Sequence, residues 1–434
     1  MSKANFHEFQ SALITKLDLF IGEGGFGDDY FLYKFQTILM QLCENHTSIR
    51  DPGIRYINLT SRLIELLLEY RNTQTSKDST KENQMSCIVN LLDFYSDISR
   101  EDLYIKYLKE LSALHEKCQN HAEAGFTILQ YARLLEWSDR PLQHTWGNNR
   151  KCTNHRKLKE QLYKDIIDLF EKGKMWEKAL EICKELSAQY ELQTFDYSEM
   201  SKLYSKMAGF YNDIMNKDNE PRREPEYFRV AFIGRGFPAF LQNKTFVYRG
   251  KGFDSLNEFS ARILDQFPHA EAMKTMNPPS EEEKQDVKQL LQINKVDPIM
   301  KERPMFQDKP ISPQILKYYK VNEVSQFSYS RPFHKGQRDR DNEFATLWIE
   351  RTIIETRESF PGILQWFPVV DPPIVYELTP LDNAIETMEK ANDQVRALIQ
   401  EYTRIANPPI NPLSMKLKGI IGKNLKPYRN IFPN

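Results

Sequence analysis

Cysteine is scarce in this chain: five in 434 residues, scattered and odd in number. That pattern excludes a disulfide framework and suits a reducing compartment. Glycine is also low, at 17, while aromatic residues make up 12%, so most of the chain is expected to pack rather than wander. No apolar run reaches the roughly 18 residues that a membrane-spanning helix needs. The opening MSKANFHEFQ lacks the apolar core of a secretory signal. Charge of one sign is missing too. The net charge of −1 gives no global attraction to nucleic acid or to an anionic membrane. There is no G-x-S-x-G, H-E-x-x-H or G-x-x-x-x-G-K-[ST], and nothing pairs two carboxylates convincingly, so no hydrolytic or phosphate-cradling chemistry is set up.

What is present describes a soluble, cytoplasmic globular protein, with 40% apolar and 27% charged residues. At about 100–200 residues per domain, the length predicts two to four units. Residues 1–215 read as helices in series. Leu59, Leu63, Leu66 and Tyr70 keep helical spacing, as do Leu103, Tyr107, Leu111 and Leu114. Leu162, Ile166 and Leu169 lead to a break at Gly173, and Trp176, Leu180 and Cys183 restart the period. This is the pattern of antiparallel helical pairs in a TPR-like, irregular α-solenoid, an architecture that binds protein, often a second copy of itself.

A charged linker lies within 216–226. The period then changes from helical to alternating at Phe228, Val230 and Phe232, with turns at Gly234-Arg235-Gly236 and Arg249-Gly250-Lys251-Gly252. A short helix is predicted over 256–266. Residues 268–310, polar and proline-containing, are expected to be mostly loop with one short strand or helix. β character returns at 327–329, over 344–356 and, after the Pro361-Gly362 turn, over 363–367. The middle region is therefore expected to be an antiparallel β domain of short strands.

A well-specified helix start follows at Glu377 to Met388. Thr379 is placed to cap it, Pro380 opens it, and Asp382 closes a box-like pattern facing the positive end of the dipole. Leu381, Ile385, Met388, Val395 and Leu398 form one apolar stripe behind the cap. The chain stays helical to about 405 and breaks at 407–412. A last short helix starts at Leu413. Residues 416–434 carry five basic residues and no acidic one, read as a disordered end.

Two constellations read as structural. Gly22-Glu23-Gly24-Gly25-Phe26-Gly27 fits G-x-G-x-x-G, but helices rather than a βαβ unit follow it, so it reads as an interhelical loop. Cys118-x-x-His121 and Cys152-x-x-His155 have zinc-ligand types at short spacing. A helical stretch intervenes, so they read as buried or half-buried thiols and surface histidines. Two further stretches are candidates for contact. The basic run Arg331, His334, Lys335, Arg338 and Arg340 is a solvated loop or a patch for an acidic partner. Trp348-Ile349-Glu350-Arg351-Thr352 alternates on a strand and offers an aromatic and an arginine, residue types enriched at interfaces.

Several stretches resemble the exchange (DOCKER-type) domain of the dedicator-of-cytokinesis family in its Rac-directed branch. They are Phe237-Pro238-Ala239-Phe240-Leu241, Phe246-Val247-Tyr248-Arg249-Gly250, Gln266-Phe267-Pro268-His269-Ala270 and Asp341-Asn342-Glu343-Phe344 with Trp348 to Thr352. Pro361 to Phe367, Leu378 to Met388 and Asn411-Pro412-Leu413-Ser414-Met415 continue the likeness in order. In the helical half, Gly24 to Asp28, Asn83 to Cys87 and Gly173 to Glu177 agree. The likeness spans about residues 10–419.

The resemblance implies a multi-domain α+β exchange factor for Rho-family GTPases, with no bond chemistry, catalytic side chain, cofactor or metal. It implies a helical dimerisation lobe at 1–215 and an antiparallel β lobe over 227–376 that meets switch I. A partial helical-bundle lobe over 377–434 meets switch II and the nucleotide site. The GTPase-binding residues it points to are Trp348, Glu350, Arg351, Leu378, Thr379, Pro380, Asn383, Glu386, Asn411, Pro412, Leu413 and Met415. It also implies a longer parent protein, recruited to the plasma membrane and bound by adaptors through other parts.

The family's pattern continues after Ile421 with an Asp-Pro-Ala-Val-Met-Gly-Gly type insert carrying an apolar nucleotide sensor. This chain reads Gly422-Lys423-Asn424-Leu425-Lys426-Pro427 there. The expectation is a truncated third lobe with no matching sensor position, and the alternative function is a non-catalytic GTPase-binding or dimerisation module. An enzyme with a nucleotide or metal site is the third class.

Overall fold

A computed structural model describes residues 3–23, 27–45, 50–75, 80–142, 152–215, 222–238, 240–336, 346–402 and 410–420. Arg338, Arg340, the Asp341 to Phe344 stretch, most of the linker and the tail 421–434 lie outside the described residues. The chain divides into two compact units, Met1–Arg223 with Pro361–Gln365, and Glu224–Phe360 with Trp366–Asn434.

The described residues of the first unit form α1 (Lys3–Leu17), α2 (Asp29–Glu44), α3 (Arg50–Thr75), α4 (Lys81–Asp97), α5 (Glu101–Lys117), α6 (His121–Arg133), α7 (His155–Lys172), α8 (Trp176–Gln189) and α9 (Tyr197–Met215). From α2 onward each helix packs on the next. The periodic residues are the reason. Leu63, Leu103, Tyr107, Leu111, Leu162, Ile166 and Leu180 are all buried, and burying each such side chain is worth about 1.5–3 kcal/mol. Gly125 lets α6 approach α7, since a Cβ there would lie 2.6 Å from the Phe170 ring.

Three turns share one geometry. Ser99, Gln119 and Lys174 have φ of 55°, 60° and 54°. The next residue's N–H bonds back to the carbonyl five positions earlier: Arg100 to Tyr95 at 2.9 Å, Asn120 to His115 at 2.9 Å, and Met175 to Phe170 at 2.7 Å. These are Schellman closures with a non-glycine residue in the left-handed position. The G-x-G-x-x-G stretch follows α1 rather than a strand, and its Gly24, Gly25 and Phe26 are outside the described residues.

The second unit is built on β1 (Tyr227–Ile233), β2 (Lys244–Arg249), β3 (Ala270–Ala272), β4 (Gln289–Ile299), β5 (Val324–His334), β6 (Leu347–Phe360) and β7 (Trp366–Leu378). Helices α10 (Leu256–Gln266), α11 (Glu281–Gln285) and α12 (Pro313–Val321) are inserted between strands, and α13 (Pro380–Tyr402) and α14 (Ile410–Ile420) follow them. The order β1-β2-β7-β6-β5-β4 closes through a β4–β1 pairing, with β3 parallel to β4 at its side. The result is an antiparallel, barrel-like sheet. One face of β1 stacks Phe228 on Phe259 of α10 at 4.1 Å. The opposite face carries Tyr227, whose ring meets Phe327 of β5 and Phe360 of β6, so that face is the interior.

The helix over 256–266 forms where the sequence predicts it, with a complete Ser255–Glu258 capping box. The stretch 268–310 does not stay a loop. It contains the 11-residue β4, which ladders with β1, β3 and β5. Its period was hidden because Gln292 and Asn294, both buried, occupy interior positions where apolar residues are expected.

Candidate functional site

Beyond the barrel, β5, β6 and β7 continue as a three-stranded arm. The β4–β5 ladder ends at Asp297↔Ser328 and the β2–β7 ladder at Phe246↔Pro368. The β6–β7 ladder runs on to Ile349↔Leu378. Alternation puts Ile349, Arg351 and Ile353 of β6 on one face, opposite Leu378, Tyr376 and Ile374 of β7. Trp348, Glu350 and Thr352 take the other face. The arm therefore separates two groups of expected contact residues, with Arg351 and Leu378 on one side and Trp348 and Glu350 on the other.

Helix α13 begins one residue after β7. Thr379 Oγ1 accepts the Asp382 N–H at 3.1 Å, while Asp382 Oδ2 accepts the Thr379 N–H at 3.1 Å and its hydroxyl at 2.6 Å. The reciprocal cap is the one the sequence specifies. Those hydrogen bonds hold the Asp382 carboxyl below its usual range. Pro380 opens the helix, and the Asn383 N–H bonds Thr379 O at 3.0 Å.

One turn further, Glu386 takes both ends of the Arg351 guanidinium, at 2.8 and 2.7 Å, and Arg351 Nε donates to Ser330 Oγ at 3.2 Å. This fork joins β5, β6 and α13. The Arg351 guanidinium pulls the Glu386 carboxyl below its ordinary range.

The apolar stripe of α13 is graded in exposure. Ala384 and Ala391 are buried, while Leu381 and Ile385 are 43% and 46% exposed. Met388, Val395 and Leu398 are half-buried. The small alanines let the helix lie close to its support, which leaves the larger side chains on its flank. On β7, Ile374 is 62% exposed and Tyr376 39% exposed. The exposure of Ile374 and Tyr376 on β7 and of Leu381 and Ile385 on α13 is the feature that sequence reasoning missed. The signal available was Asp371-Pro372-Pro373, because paired prolines confine a strand to an edge.

On the arm's other face, Lys335 Nζ lies 4.4 Å from the centre of the Trp348 ring and 2.7 Å from Glu377 Oε2. Arg331 pairs with Glu350 at 3.0 Å. The basic run is thus partly neutralised by its own strand neighbours. In α14, which packs on α13, Asn411 is exposed, Leu413 half-buried and Met415 exposed. Pro412 lies in the same helix. Among the described residues no group of three or more His, Cys, Asp or Glu could hold a metal ion, and no helix is long and apolar enough to cross a membrane.

Comparison with known proteins agrees with this layout. The family pattern described as DHR-2, Lobe A matches residues 87–216, and that described as DHR-2, Lobe B matches residues 276–359. The chain is 41% identical over 418 residues to dedicator of cytokinesis protein 4 of Homo sapiens. It is 40% identical over 428 residues to dedicator of cytokinesis protein 3 of Mus musculus. Each of these alignments covers 96% of this chain and 21% of the relative. A DOCK-like protein 1 of Saccharomyces cerevisiae is 25% identical over 316 residues, covering 69% of this chain and 15% of that protein. The chain thus spans about a fifth of the length of the first two relatives. With two lobes matched in order, and identity near 40% sustained across almost all of it, the chain belongs to the dedicator-of-cytokinesis family, of which it carries DHR-2 sequence.

Proposed function

We propose that this chain is a guanine-nucleotide exchange module that promotes GDP release from a Rac-type Rho-family GTPase. It does so without bond chemistry. A factor that binds the nucleotide-free GTPase more tightly than the loaded one must, reciprocally, weaken nucleotide affinity. The observation that carries the reading is the exposure of Ile374 and Tyr376 on β7 and of Leu381 and Ile385 on α13, with α13 braced by the Arg351–Glu386 fork. Exposed apolar side chains with fixed charges beside them are the kind of surface that seats a folded protein partner.

In this reading the β arm meets switch I, and α13 and α14 meet switch II and the nucleotide site. The helical lobe pairs two copies of the chain, and the protein works in the cytoplasm, recruited to the plasma membrane through regions outside these residues. A second reading, in which the chain grips the GTPase without emptying it, is supported by Gly422-Lys423-Asn424-Leu425-Lys426-Pro427 standing where the family pattern carries its apolar sensor.

Release of a fluorescent GDP from a Rac-type GTPase, with binding of the nucleotide-free form measured in parallel, separates the two. Accelerated release supports exchange. Tight binding of the empty GTPase without acceleration selects the binding module. Neither effect overturns both.

A further inference from the structure

Arg229 is a half-buried cation on the barrel's interior face that has no carboxylate partner among the described residues. It lies on the interior face of β1 with Tyr227, opposite Asn294 in the β4 ladder and Val247 in the β2 ladder. Its Nη1 donates to Gln292 Oε1 at 2.9 Å and to Asn294 Oδ1 at 3.2 Å. The Tyr329 ring centre is 5.4 Å from its Cζ. Among the described residues no Asp or Glu oxygen comes within ion-pair distance, and no acceptor meets Nε or Nη2. The partners it has are neutral and already engaged, since Gln292 Nε2 donates to Thr275 O and Asn277 O at 2.8 and 2.9 Å. Burial lowers the guanidinium's pKa, and the field of Asp371 offsets part of that effect. A half-buried guanidinium whose Nε and Nη2 meet no acceptor among the described residues keeps a donor fork open to an incoming anion.

The position is open to a partner. Asn294 lies three residues past the last β4–β5 pair at Asp297, and Tyr329 one residue past its mate Ser328. Asp371 lies three residues past the last β2–β7 pair at Pro368. The sheet therefore opens between β4 and β5 beside Arg229, while its β2 mate Val247 stays paired with Phe367 of β7, and the side chain is half-buried rather than sealed. The network continues outward as well. Asn277 Oδ1 accepts from Arg331, which pairs with Glu350 on the arm. The interior charge is thus linked by hydrogen bonds to the arm's interior-side face.

We propose that the opening between β4 and β5 is a carboxylate-binding subsite in which Arg229 grips an acidic side chain of the partner GTPase. Nε and Nη2 form the fork that a carboxylate matches with two parallel bonds. Gln292 and Asn294 fix the plane of that fork. Asp371, exposed on β7, is an anion whose field reaches Arg229 without pairing with it and opposes an incoming carboxylate. The subsite rests on the exchange-module reading for the identity of its occupant, and on Arg229 alone for its chemistry.

The test has two arms. In the first, Kd for a nucleotide-free Rac-type GTPase and Tm are measured for the native chain and for Arg229→Gln, Arg229→Lys and Asp371→Asn. Arg229→Gln is expected to weaken binding at least about tenfold while Tm holds or rises. Arg229→Lys recovers part of the loss, and Asp371→Asn tightens binding a few-fold. A Kd for Arg229→Gln within twofold of native overturns the proposal, as does weakening that only follows lost folding.

The second arm titrates a hexaglutamate peptide and follows the arginine Nε–Hε resonances by NMR. A shift in the native chain that is absent from Arg229→Lys supports the subsite. If the native chain binds no GTPase, the functional reading fails and the peptide titration decides the subsite alone: no shift overturns it.

Discussion

Arg351 on β6 and Glu386 on α13 form a two-point bridge, with Nη1–Oε1 at 2.8 Å and Nη2–Oε2 at 2.7 Å. It fixes the helix on the strand at the place where Leu381 and Ile385 must be presented. Arg351→Ala is expected to cost about 1–2 kcal/mol of stability and to weaken GTPase binding about tenfold, because the apolar flank loses its fixed angle. Arg351→Lys keeps the charge but loses the fork and should fall between the two. Chemical unfolding and a binding isotherm on each variant check this. Unchanged affinity in Arg351→Ala would place the partner elsewhere.

The same bridge makes the docking of α13 acid-sensitive. The Arg351 guanidinium depresses the folded pKa of Glu386 below its unfolded value. A depressed carboxyl contributes stability that is fully present above the unfolded pKa, about 4.3, and is lost as pH falls through the folded one. Amide protection of α13, corrected for intrinsic exchange, should hold from neutral pH down to about 5 and decline below about 4. Glu386→Gln should start lower and flatten that decline. Equal protection in the native chain at pH 6 and pH 3 would refute the linkage.

The sequence was most legible where one local rule governed. The Thr379 cap and the α10 boundaries follow from side chains whose partners lie within four residues. The periodic leucines of α3, α5, α7 and α8 announced buried helices for the same reason. It was least legible where tertiary partners replaced the expected residue type. The strand β4 was hidden because Gln292 and Asn294 serve Arg229 on the neighbouring strand β1. No repeat was visible in the helical array because Ser99, Gln119 and Lys174 occupy turn positions where glycine is the usual marker. The exposure of Ile374 and Leu381 was illegible because an apolar residue reads as core until its neighbours are known.

Those turns can be improved. Lys174 holds φ at 54° with Gly173 before it, a conformation that costs an L-residue about 1 kcal/mol. Lys174→Gly removes that cost and adds some unfolded-state entropy. The expected net is a gain of about 0.5 kcal/mol in the denaturant midpoint analysis. Lys174→Val, β-branched in the same position, should lose about 1 kcal/mol or more. A loss for Lys174→Gly would mean that the lysine side chain matters more than the backbone.

Asp18 is a buried charge of the helical unit. Its Oδ1 accepts the hydroxyls of Tyr95 and Tyr107, each at 2.7 Å, and its Oδ2 accepts Lys106 Nζ at 2.7 Å. The carboxylate is 3% exposed and ties the turn after α1 to α4 and α5. Asp18→Ala leaves two buried hydroxyls and an ammonium short of a partner, at a cost of about 3 kcal/mol. Asp18→Asn keeps an acceptor and should cost less. Urea unfolding followed by circular dichroism measures both. A loss below about 1 kcal/mol for Asp18→Ala would show that water or another acceptor replaces it.

The last expectation concerns assembly. Tyr197, Tyr204 and Tyr211 recur every seven residues along α9, and all three are exposed together with Met215. Leu203, Met207 and Phe210 fill the buried face of the same helix. The preceding turn exposes Leu192 and Phe195. A stripe of this kind, continuous over the length of a helix, is what a second copy of the chain covers in a two-fold interface. Light scattering at micromolar concentration is expected to give twice the chain mass of 51.2 kDa. Tyr204→Glu with Tyr211→Glu should return it to one chain mass, with helix content unchanged, because neither side chain contributes to the core. The apolar residues of α2 supply the control. Tyr33→Glu with Leu42→Glu, also at exposed positions, should leave the doubled mass in place. A doubled mass lost only in the α2 variant would move the interface to α2, and a native monomer would remove the dimer altogether.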